Sequence, residues 1–274
     1  EVFDGIVQAA VARGQNVTVF NVGNWKDACH LIPTYCDGRV DGLILLAPTI
    51  EAPVDEWLPG HAPLVAVHPN TPLPGIPCLR SDDEGGAFAA VSHLLRLGHR
   101  RILHIGGPEG MTGADLRLQG YQRAYREAGI EMPEGHIVRT AFTAEGGRVA
   151  VENWLQAHCG QAMPHAIFAG SDAIALGCLE RLQVRGLRVP EDISLIGFDN
   201  TLFARAARLS TVAQPLNKLG RLAVQDLLDL IEGRNAEASS AAPSAPSVAD
   251  ATLPTEFCDR STLAAVRREE LLIA

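Results

Sequence analysis

The chain has 274 residues, of which 47% are hydrophobic and 20% are charged, and it is long enough to form two compact subdomains. It carries 32 acidic and 23 basic residues, a formal net charge of −9. This balance argues against a chain that holds DNA by itself, because DNA binding needs a face rich in Lys and Arg. No apolar run approaches the roughly 18–20 residues that a membrane span requires.

The first residues and the cysteines indicate the compartment. The sequence starts at Glu1, already within a helical pattern, and it shows no basic segment followed by an apolar one, the mark of a signal peptide. Six cysteines are scattered without a Cys-x-x-Cys pair, which favours free thiols in a reducing cytosol over a disulfide or metal framework. We therefore expect a cytoplasmic protein with no metal and no cofactor.

The first part of the chain alternates helical patterns with short apolar runs. Helical periodicity before a glycine predicts a helix over 2–13. The elements predicted after it are a strand over 17–22, a helix near 27–38, and strands over 40–47 and 63–67. Because these strands are apolar on consecutive residues, we expect parallel strands that are covered on both faces.

The same alternation continues through the second part. The predicted helices lie over 83–97, 115–128, 145–158, 172–185 and 217–232, and the predicted strands lie over 100–107, 137–141, 165–170, 193–198 and 210–214. Repeated strand–helix–strand units of this length indicate right-handed crossovers and parallel sheets, so the predicted fold class is α/β.

The end of the chain changes in composition. Residues 235–250 are rich in Ala, Ser and Pro without periodicity, which predicts a flexible linker or loop insertion. The run 253–261 predicts a last strand. For the tail after it, a frayed end is favoured over a helix that mediates oligomerisation.

Polar and aromatic residues at or shortly after the ends of the predicted strands form the candidate site. In open α/β sheets, ligands bind outside the carboxyl ends of the strands. The candidates there are His68, Arg117, Phe142, Ser171, Asp199 and Gln214. One cation, one carboxylate, one aromatic ring and several neutral groups suit a small polyhydroxyl or heterocyclic molecule.

The candidates also have structural explanations. From position alone, Arg117 is compatible with a surface ion pair to Asp115 or Glu109. The other structural readings are a helix cap for Ser171 and for Asp199, a core position for Phe142, and an exposed loop position for His68.

Signatures of common enzymes are missing from the sequence. The loop GGPEGMTG (106–113) has no Lys-Ser/Thr and so differs from a P-loop, and no G-x-G-x-x-G follows a strand. The context AGSDA around Ser171 is not a nucleophile elbow, and no H-E-x-x-H occurs. We expect no catalytic residues and no enzymatic function.

Four segments carry a resemblance to a known family. They are LGHRRILHIGGP (97–108), LRLQGYQRAYREAGI (116–130), IFAGSDAIALGCLERLQVRGLRVPEDISLIGFDN (167–200) and STVAQP (210–215). In their order and spacing they resemble the effector-binding core of the LacI/GalR bacterial transcription regulators. The resemblance runs from about residue 2 to about residue 261.

The resemblance implies a periplasmic-binding-protein-like fold of type I, with two Rossmann-like lobes of parallel sheet joined by crossover strands. The N-terminal lobe would comprise 1–81 and 216–254, lack its first strand and contain the 235–250 insertion. The C-terminal lobe would comprise 82–214 and 255–262, and a tail would follow over 263–274. Such a chain would be a fragment of a homodimeric regulator whose helix-turn-helix head, absent here, contacts operator DNA.

The resemblance also implies roles for the candidate residues. Arg117 matches the arginine that grips the effector, and Asp199 matches the aspartate that hydrogen-bonds its hydroxyl groups. Phe142 occupies the position of a stacking ring, and Gln214 lies at the crossover between lobes. Family effectors are sugars, polyols, nucleosides or purines.

Two candidates depart from the family pattern. Ser171 stands where Asn is usual, and His68 where Asp is common, so the effector or its orientation is expected to differ from the common hexose pattern. The main alternative function is a periplasmic sugar receptor of an ABC transporter, built on the same fold. A degenerate core that serves only as an oligomeric scaffold is a further alternative.

Overall fold

The computed structural model describes residues 1–23, 25, 31–50, 62–239 and 248–266. The chain divides into two compact units. Unit 1 comprises Glu1–Ser81 and Pro215–Leu253, and unit 2 comprises Asp82–Gln214 and Pro254–Ala274. Both units build a mainly parallel sheet with helices on it, which confirms the predicted α/β fold class.

Unit 1 contains a four-stranded sheet in the order β1-β2-β3-β9, in which all neighbours are parallel. Its elements are α1 (Val2–Ala12), α2 (Ile32–Tyr35), β1 (Leu43–Leu46), β2 (Leu64–Val67), β3 (Cys78–Ser81), α8 (Leu216–Ser239) and β9 (Ala251–Leu253). Helix α1 packs on α8, where the close approach requires glycine because a Cβ at Gly5 would collide with the backbone of Asn217.

Unit 2 contains a six-stranded sheet in the order β10-β8-β7-β6-β4-β5. Its elements are α3 (Asp83–Arg96), β4 (Ile102–Gly106), α4 (Thr112–Ala128), β5 (Ile137–Arg139), α5 (Ala144–Ala157), β6 (Ala166–Ala169), α6 (Asp172–Val184), β7 (Ser194–Asp199), α7 (Leu202–Ala206), β8 (Ser210–Ala213) and β10 (Glu256–Cys258). The strands are parallel except for the antiparallel pair of β10 and β8.

The central strands of unit 2 are buried on both faces, as their consecutive apolar residues predict. Every residue of β4 and β6 is buried. One face packs against α3 and α4 and the other against α5 and α6, which forms two separate core clusters. Some polar groups in this core form hydrogen bonds; for example, the Tyr121 hydroxyl donates to the Ile102 carbonyl at 2.8 Å, and Nδ1 of His104 lies 3.0 Å from the Phe168 carbonyl oxygen. The carboxyl ends of these strands are therefore held on a rigid base.

The predicted strand over 17–22 is not formed. The segment belongs to no strand, and Val19 is 64% exposed, so the prediction of a buried strand is wrong. Residues 17–22 line one cavity of about 670 Å³ together with β1, which is the edge strand of its sheet. The segment pairs with no strand among the described residues, and a strand persists only when its backbone N–H and C=O groups are bonded to a neighbour.

The predicted boundaries in the last third of the chain also differ. Helix α8 continues to Ser239, five residues into the predicted loop over 235–250, because Ala and Glu sustain a helix there. Residues 240–247 lie outside the described part. Within the described residues, no helix, including the 24-residue α8, is long and apolar enough to cross a membrane.

The single strand predicted over 253–261 is two shorter strands. Strand β9 pairs with β3 in unit 1, and β10 pairs with β8 in unit 2. Pro254, which has no N–H group to donate, lies between them where the chain changes units. The first residues of the predicted frayed tail are attached, since the Val266 amide donates to the Leu97 carbonyl at 3.1 Å; residues 267–274 lie outside the described part.

The helix predicted near 27–38 is only partly described. Residues 26–30 lie outside the described part, and the helix seen after them is the four-residue α2. It carries a proline in its first turn and ends before Cys36.

Candidate functional site

The strand order of unit 2 brings several predicted residues to one edge of its sheet. Strands β8, β7, β6 and β4 are consecutive neighbours and parallel, so their carboxyl ends meet at the same edge. Asp199 ends β7, Gln214 follows β8, and Ser171 comes two residues after β6. The structure thus gathers residues that are up to 43 positions apart in sequence.

Arg117 lies on α4 and is buried, with 7% of its surface exposed. Its Nε and Nη2 groups both lie 2.8 Å from Oδ1 of Asp83, the first residue of α3, which is itself 3% exposed. Its Nη1 group donates to the Gly170 carbonyl at 2.5 Å, directly after β6. Three bonds therefore hold the guanidinium at the strand ends, as expected for a buried charge.

The surface ion pair considered for Arg117 from sequence is not formed. Asp115 instead pairs with Arg139, whose Nη2 lies 2.5 Å from its Oδ1. Arg117 faces inward, toward Asp83, because the α4 face that carries it packs on α3 and the sheet.

Asp199 is the second carboxylate at this edge. Its Oδ1 lies 3.7 Å from Nη1 of Arg117 and accepts a hydrogen bond of 2.6 Å from Nε2 of Gln214. The side chain is 21% exposed, whereas that of Arg117 is 8% exposed, so Asp199 faces solvent more than its partner does. The helix cap considered for it from sequence is supplied by another residue, since Thr201 Oγ1 accepts from the Ala204 amide that follows.

Burial raises the pKa of Asp199 from its ordinary 3.8 to about 7. The nearby guanidinium of Arg117 opposes this shift of the pKa, whereas the negative charges of Asp172 and Asp83 add to it. The site therefore holds a carboxyl group whose protonation state changes near neutral pH. Such groups are common at functional sites.

Two phenylalanine rings enclose the guanidinium. The Arg117 Cζ atom lies 3.9 Å from the ring centroid of the fully buried Phe198 and 5.8 Å from that of the half-buried Phe142. The Phe142 ring sits directly on Gly107, where a Cβ would collide with it. Phe142 also packs against the core, which was the structural explanation considered for it.

The remaining predicted residues have more limited roles in the structure. Ser171 is buried and its Oγ accepts from the Ile174 amide at 3.2 Å, so it caps α6. His68 belongs to unit 1, where it follows β2 with a φ of 50° and is half-buried. The residues brought together in unit 2 are therefore Arg117, Asp199, Phe142, Gln214 and Ser171.

Two acidic residues of the site were missed by the sequence analysis. Asp83 pairs with Arg117, and Asp172 is completely buried at the start of α6. Both lie in the first turns of helices. The expectation that ligands bind at the carboxyl ends of strands, which selected the other candidates, therefore does not select these two. A sequence signal exists only for Asp172, which directly follows the predicted cap Ser171.

This edge of the sheet combines a guanidinium, three carboxyl groups, an amide and an aromatic face in a partly solvent-shielded position. In the described part of the chain, no group of three or more His, Cys, Asp or Glu side chains is arranged to hold a metal ion.

Comparisons with known proteins agree with this architecture. The sequence profile of the periplasmic binding protein-like domain matches residues 91–249. Over 247 residues the chain is 38% identical to the HTH-type transcriptional repressor CytR of Escherichia coli (strain K12), covering 84% of this chain and 70% of that protein.

Solved structures show the same fold. The complex of the transcriptional regulator CelR with cellobiose superposes with a TM-score of 0.78 at 28% identity, covering 95% of this chain and 79% of that chain. A LacI family transcriptional regulator from Enterococcus faecium with bound ribose has a TM-score of 0.78 at 25% identity, covering 97% and 94%. From its sequence and its fold, this chain belongs to the LacI/GalR family of transcriptional regulators, of which it forms the effector-binding domain.

Proposed function

We propose that the carboxyl edge of the unit 2 sheet binds a small polar effector of the sugar, polyol or nucleoside class, and that binding regulates transcription. The observation that carries the proposal is the buried Arg117–Asp83 ion pair, held at the strand ends beside the partly exposed Asp199. The cellobiose and ribose bound to two proteins of the same fold support a sugar-like molecule.

The hydrogen-bonding capacity of the site fits such a molecule. The guanidinium has five N–H donors, and the bonds to Asp83 and Gly170 use three of them. The other two N–H groups can donate to a ligand hydroxyl or ring nitrogen. The carboxyl oxygens of Asp199 can accept from a ligand hydroxyl. A ligand hydroxyl can donate to Asp199 and accept from Arg117 at the same time.

The aromatic face adds an apolar contact. Phe142 is half-buried on Gly107 and lies beside the guanidinium, so part of its ring is open to a bound molecule. Sugar and nucleoside rings have apolar faces that stack on such a surface, while their edges use the charged groups.

Regulation follows if the effector prefers one of two conformations of the regulator. A ligand shifts such an equilibrium only by its differential affinity for the two states. We propose that the protein acts in the cytoplasm as a homodimer and contacts operator DNA through a helix-turn-helix domain. The net charge of −9 supports a separate DNA-binding element.

We also propose that the domain does not transform its ligand. The relatives are transcriptional repressors and regulators and not enzymes, which supports binding alone. The same relatives do not favour the alternative of a transporter's solute receptor.

A thermal-shift screen tests the proposal. D-ribose, cellobiose, sorbitol and adenosine are added to the wild-type chain, and at least one is expected to raise the unfolding temperature. A ligand at 100 times its Kd stabilises the folded state by about 2.7 kcal/mol. Above pH 7, where the Asp199 carboxyl group is ionised, Asp199→Asn is expected to abolish most of that shift, since the variant loses the charge-assisted bond to the ligand hydroxyl.

The matched control is Arg126→Ala, which removes an exposed arginine from the same helix as Arg117. It is expected to keep the full shift. The proposal fails if no compound of these classes stabilises the wild-type chain, or if Asp199→Asn responds to a stabilising compound as strongly as the wild type.

A further inference from the structure

Asp172, the first residue of α6, is a completely buried carboxylate that joins two other segments of unit 2. Its Oδ2 accepts from the Thr201 amide at 2.6 Å, and its Oδ1 accepts from the Thr211 hydroxyl at 2.6 Å. Thr201 lies two residues after Asp199, and Thr211 lies on the neighbouring strand β8. Both bonds are short, as charge-assisted bonds are.

The β7 strand makes room for this carboxylate. A Cβ at Gly197 would collide with Oδ1 of Asp172, so the strand passes directly beside it without a side chain. Asp172 thus lies beside β7 at Gly197 and bonds to the turn that follows the strand.

That turn has an unusual backbone. Asp199 has a φ of 121° and Asn200 a φ of 64°, values that residues other than glycine rarely adopt. Two consecutive residues of this kind persist only where surrounding contacts hold them. Here the Thr201 amide is bonded by Asp172, and Arg205 Nη1 donates to the Asn200 carbonyl at 2.7 Å.

We propose that Asp172 is a positioning residue: it anchors the turn after β7 so that the Asp199 carboxyl group points toward Arg117 and Gln214. This inference rests on the proposed function, because it gives Asp172 the role of holding a residue of the same effector site in position. Asp172 itself does not contact the effector, since it has no exposed surface and each of its oxygens already accepts a hydrogen bond.

The anchor can be tested without any effector. In ¹H–¹⁵N NMR spectra, the Thr201 amide reports the bond to Asp172, and the side-chain amide of Gln214 reports the bond to Asp199. Asp172→Ala is expected to shift both signals and to speed hydrogen exchange at Thr201 by about tenfold or more, because a hydrogen bond to a charged group is lost.

Two further variants separate positioning from general stability. Asp172→Asn can still accept from Thr201 and donate to the Thr211 hydroxyl, so it is expected to retain the Gln214 signal. Ser194→Ala removes two bonds at the other end of β7, the one that Ser194 Oγ accepts from the Ala264 amide and the one that it donates to the Ala264 carbonyl, and it should leave both reporters unchanged. If Asp172→Ala does not fold, Thr211→Val, which frees one oxygen of Asp172, serves in its place, and the Gln214 signal is again expected to move.

The proposal is overturned if the Gln214 signal stays in place in Asp172→Ala, or if Ser194→Ala moves it equally. A binding measurement adds the functional consequence. For whichever of D-ribose, cellobiose and adenosine stabilises the wild type, Asp172→Ala is expected to raise the Kd about tenfold or more, with rescue by Asp172→Asn. An unchanged Kd would contradict positioning, whereas a wild type that binds none of these compounds would refute the proposed function and leave the NMR result to decide on the anchor.

Discussion

Arg117 and Asp83 form an ion pair whose side chains are 8% and 4% exposed. Removing one partner of a buried pair leaves the other charge without compensation, which costs about 3–5 kcal/mol. We therefore expect Arg117→Ala to lower the free energy of unfolding by about that amount, measured by urea denaturation. Arg126→Ala on the same helix is the control and should change it by no more than ~0.5 kcal/mol.

Equal unfolding free energies for these two variants would contradict the buried pair. The predicted cost also explains why Asp199→Asn is the better probe of binding. Its side chain is partly exposed and its replacement keeps the shape of the site, so the cost to folding is expected to be smaller than that of Arg117→Ala.

Asp199 also makes stability depend on pH. Because burial raises its folded-state pKa from 3.8 to about 7, the folded state holds a proton that the unfolded state has lost between these values. The stability that this group contributes is complete below about pH 4 and is lost as pH rises toward 7. Asp199→Asn should therefore become more stable relative to the wild type as pH increases from 4 to 7.5.

Urea denaturation of both proteins across this pH range measures the difference. Titrating groups that do not interact with Asp199, among them the buried His104 whose pKa is lowered to about 4 by burial, act equally in both proteins and cancel. A difference between variant and wild type that does not change with pH would show that the pKa of Asp199 is not raised.

At the scale of elements, the buried strands of unit 2 follow from their sequence, whereas the segment 17–22 does not. The runs 100–107, 165–170 and 193–198 are apolar on consecutive residues and form β4, β6 and β7. The run 17–22 has the same pattern, but a strand needs a partner, and this segment pairs with no strand among the described residues, although it lines a cavity together with β1. The local pattern of apolar residues does not show whether another strand lies close enough to pair with the segment.

Hydrogen exchange distinguishes the two kinds of segment. Amides of residues 17–22 are expected to exchange rapidly, because they are outside any strand ladder and partly exposed. Amides of β2 in the same unit, which is buried and paired on both sides, should exchange far more slowly. Protection of 17–22 comparable to that of β2 would contradict the structure here.

The candidate site could be predicted only in part, because local sequence does not show which distant residues contact each other. The rule that ligands bind at strand ends selects Asp199 and Gln214, and the resemblance adds a role for Arg117. Neither shows that Asp83 pairs with the arginine or that Asp172 supports the turn after Asp199, because these contacts join helix starts to distant segments. Partners of buried charges are decided by tertiary packing.

At the scale of the whole molecule, charge sets what the chain can bind alone. With a formal net charge of −9, it should not shift operator-like DNA in a gel assay at physiological salt. In the function that we propose, a separate domain of the protein binds DNA. Tight, sequence-selective binding of DNA by this chain would contradict the proposal that a separate domain binds DNA.

The effector site that we propose is the carboxyl edge of the unit 2 sheet. The most direct measurement is a crystal structure of the chain grown with the compound that stabilises it most in the thermal-shift screen. We predict that the compound lies within hydrogen-bonding distance of Asp199 and Arg117, with a ring against Phe142. Density for it in the 670 Å³ cavity of unit 1, with the Asp199 edge unoccupied, would contradict the account.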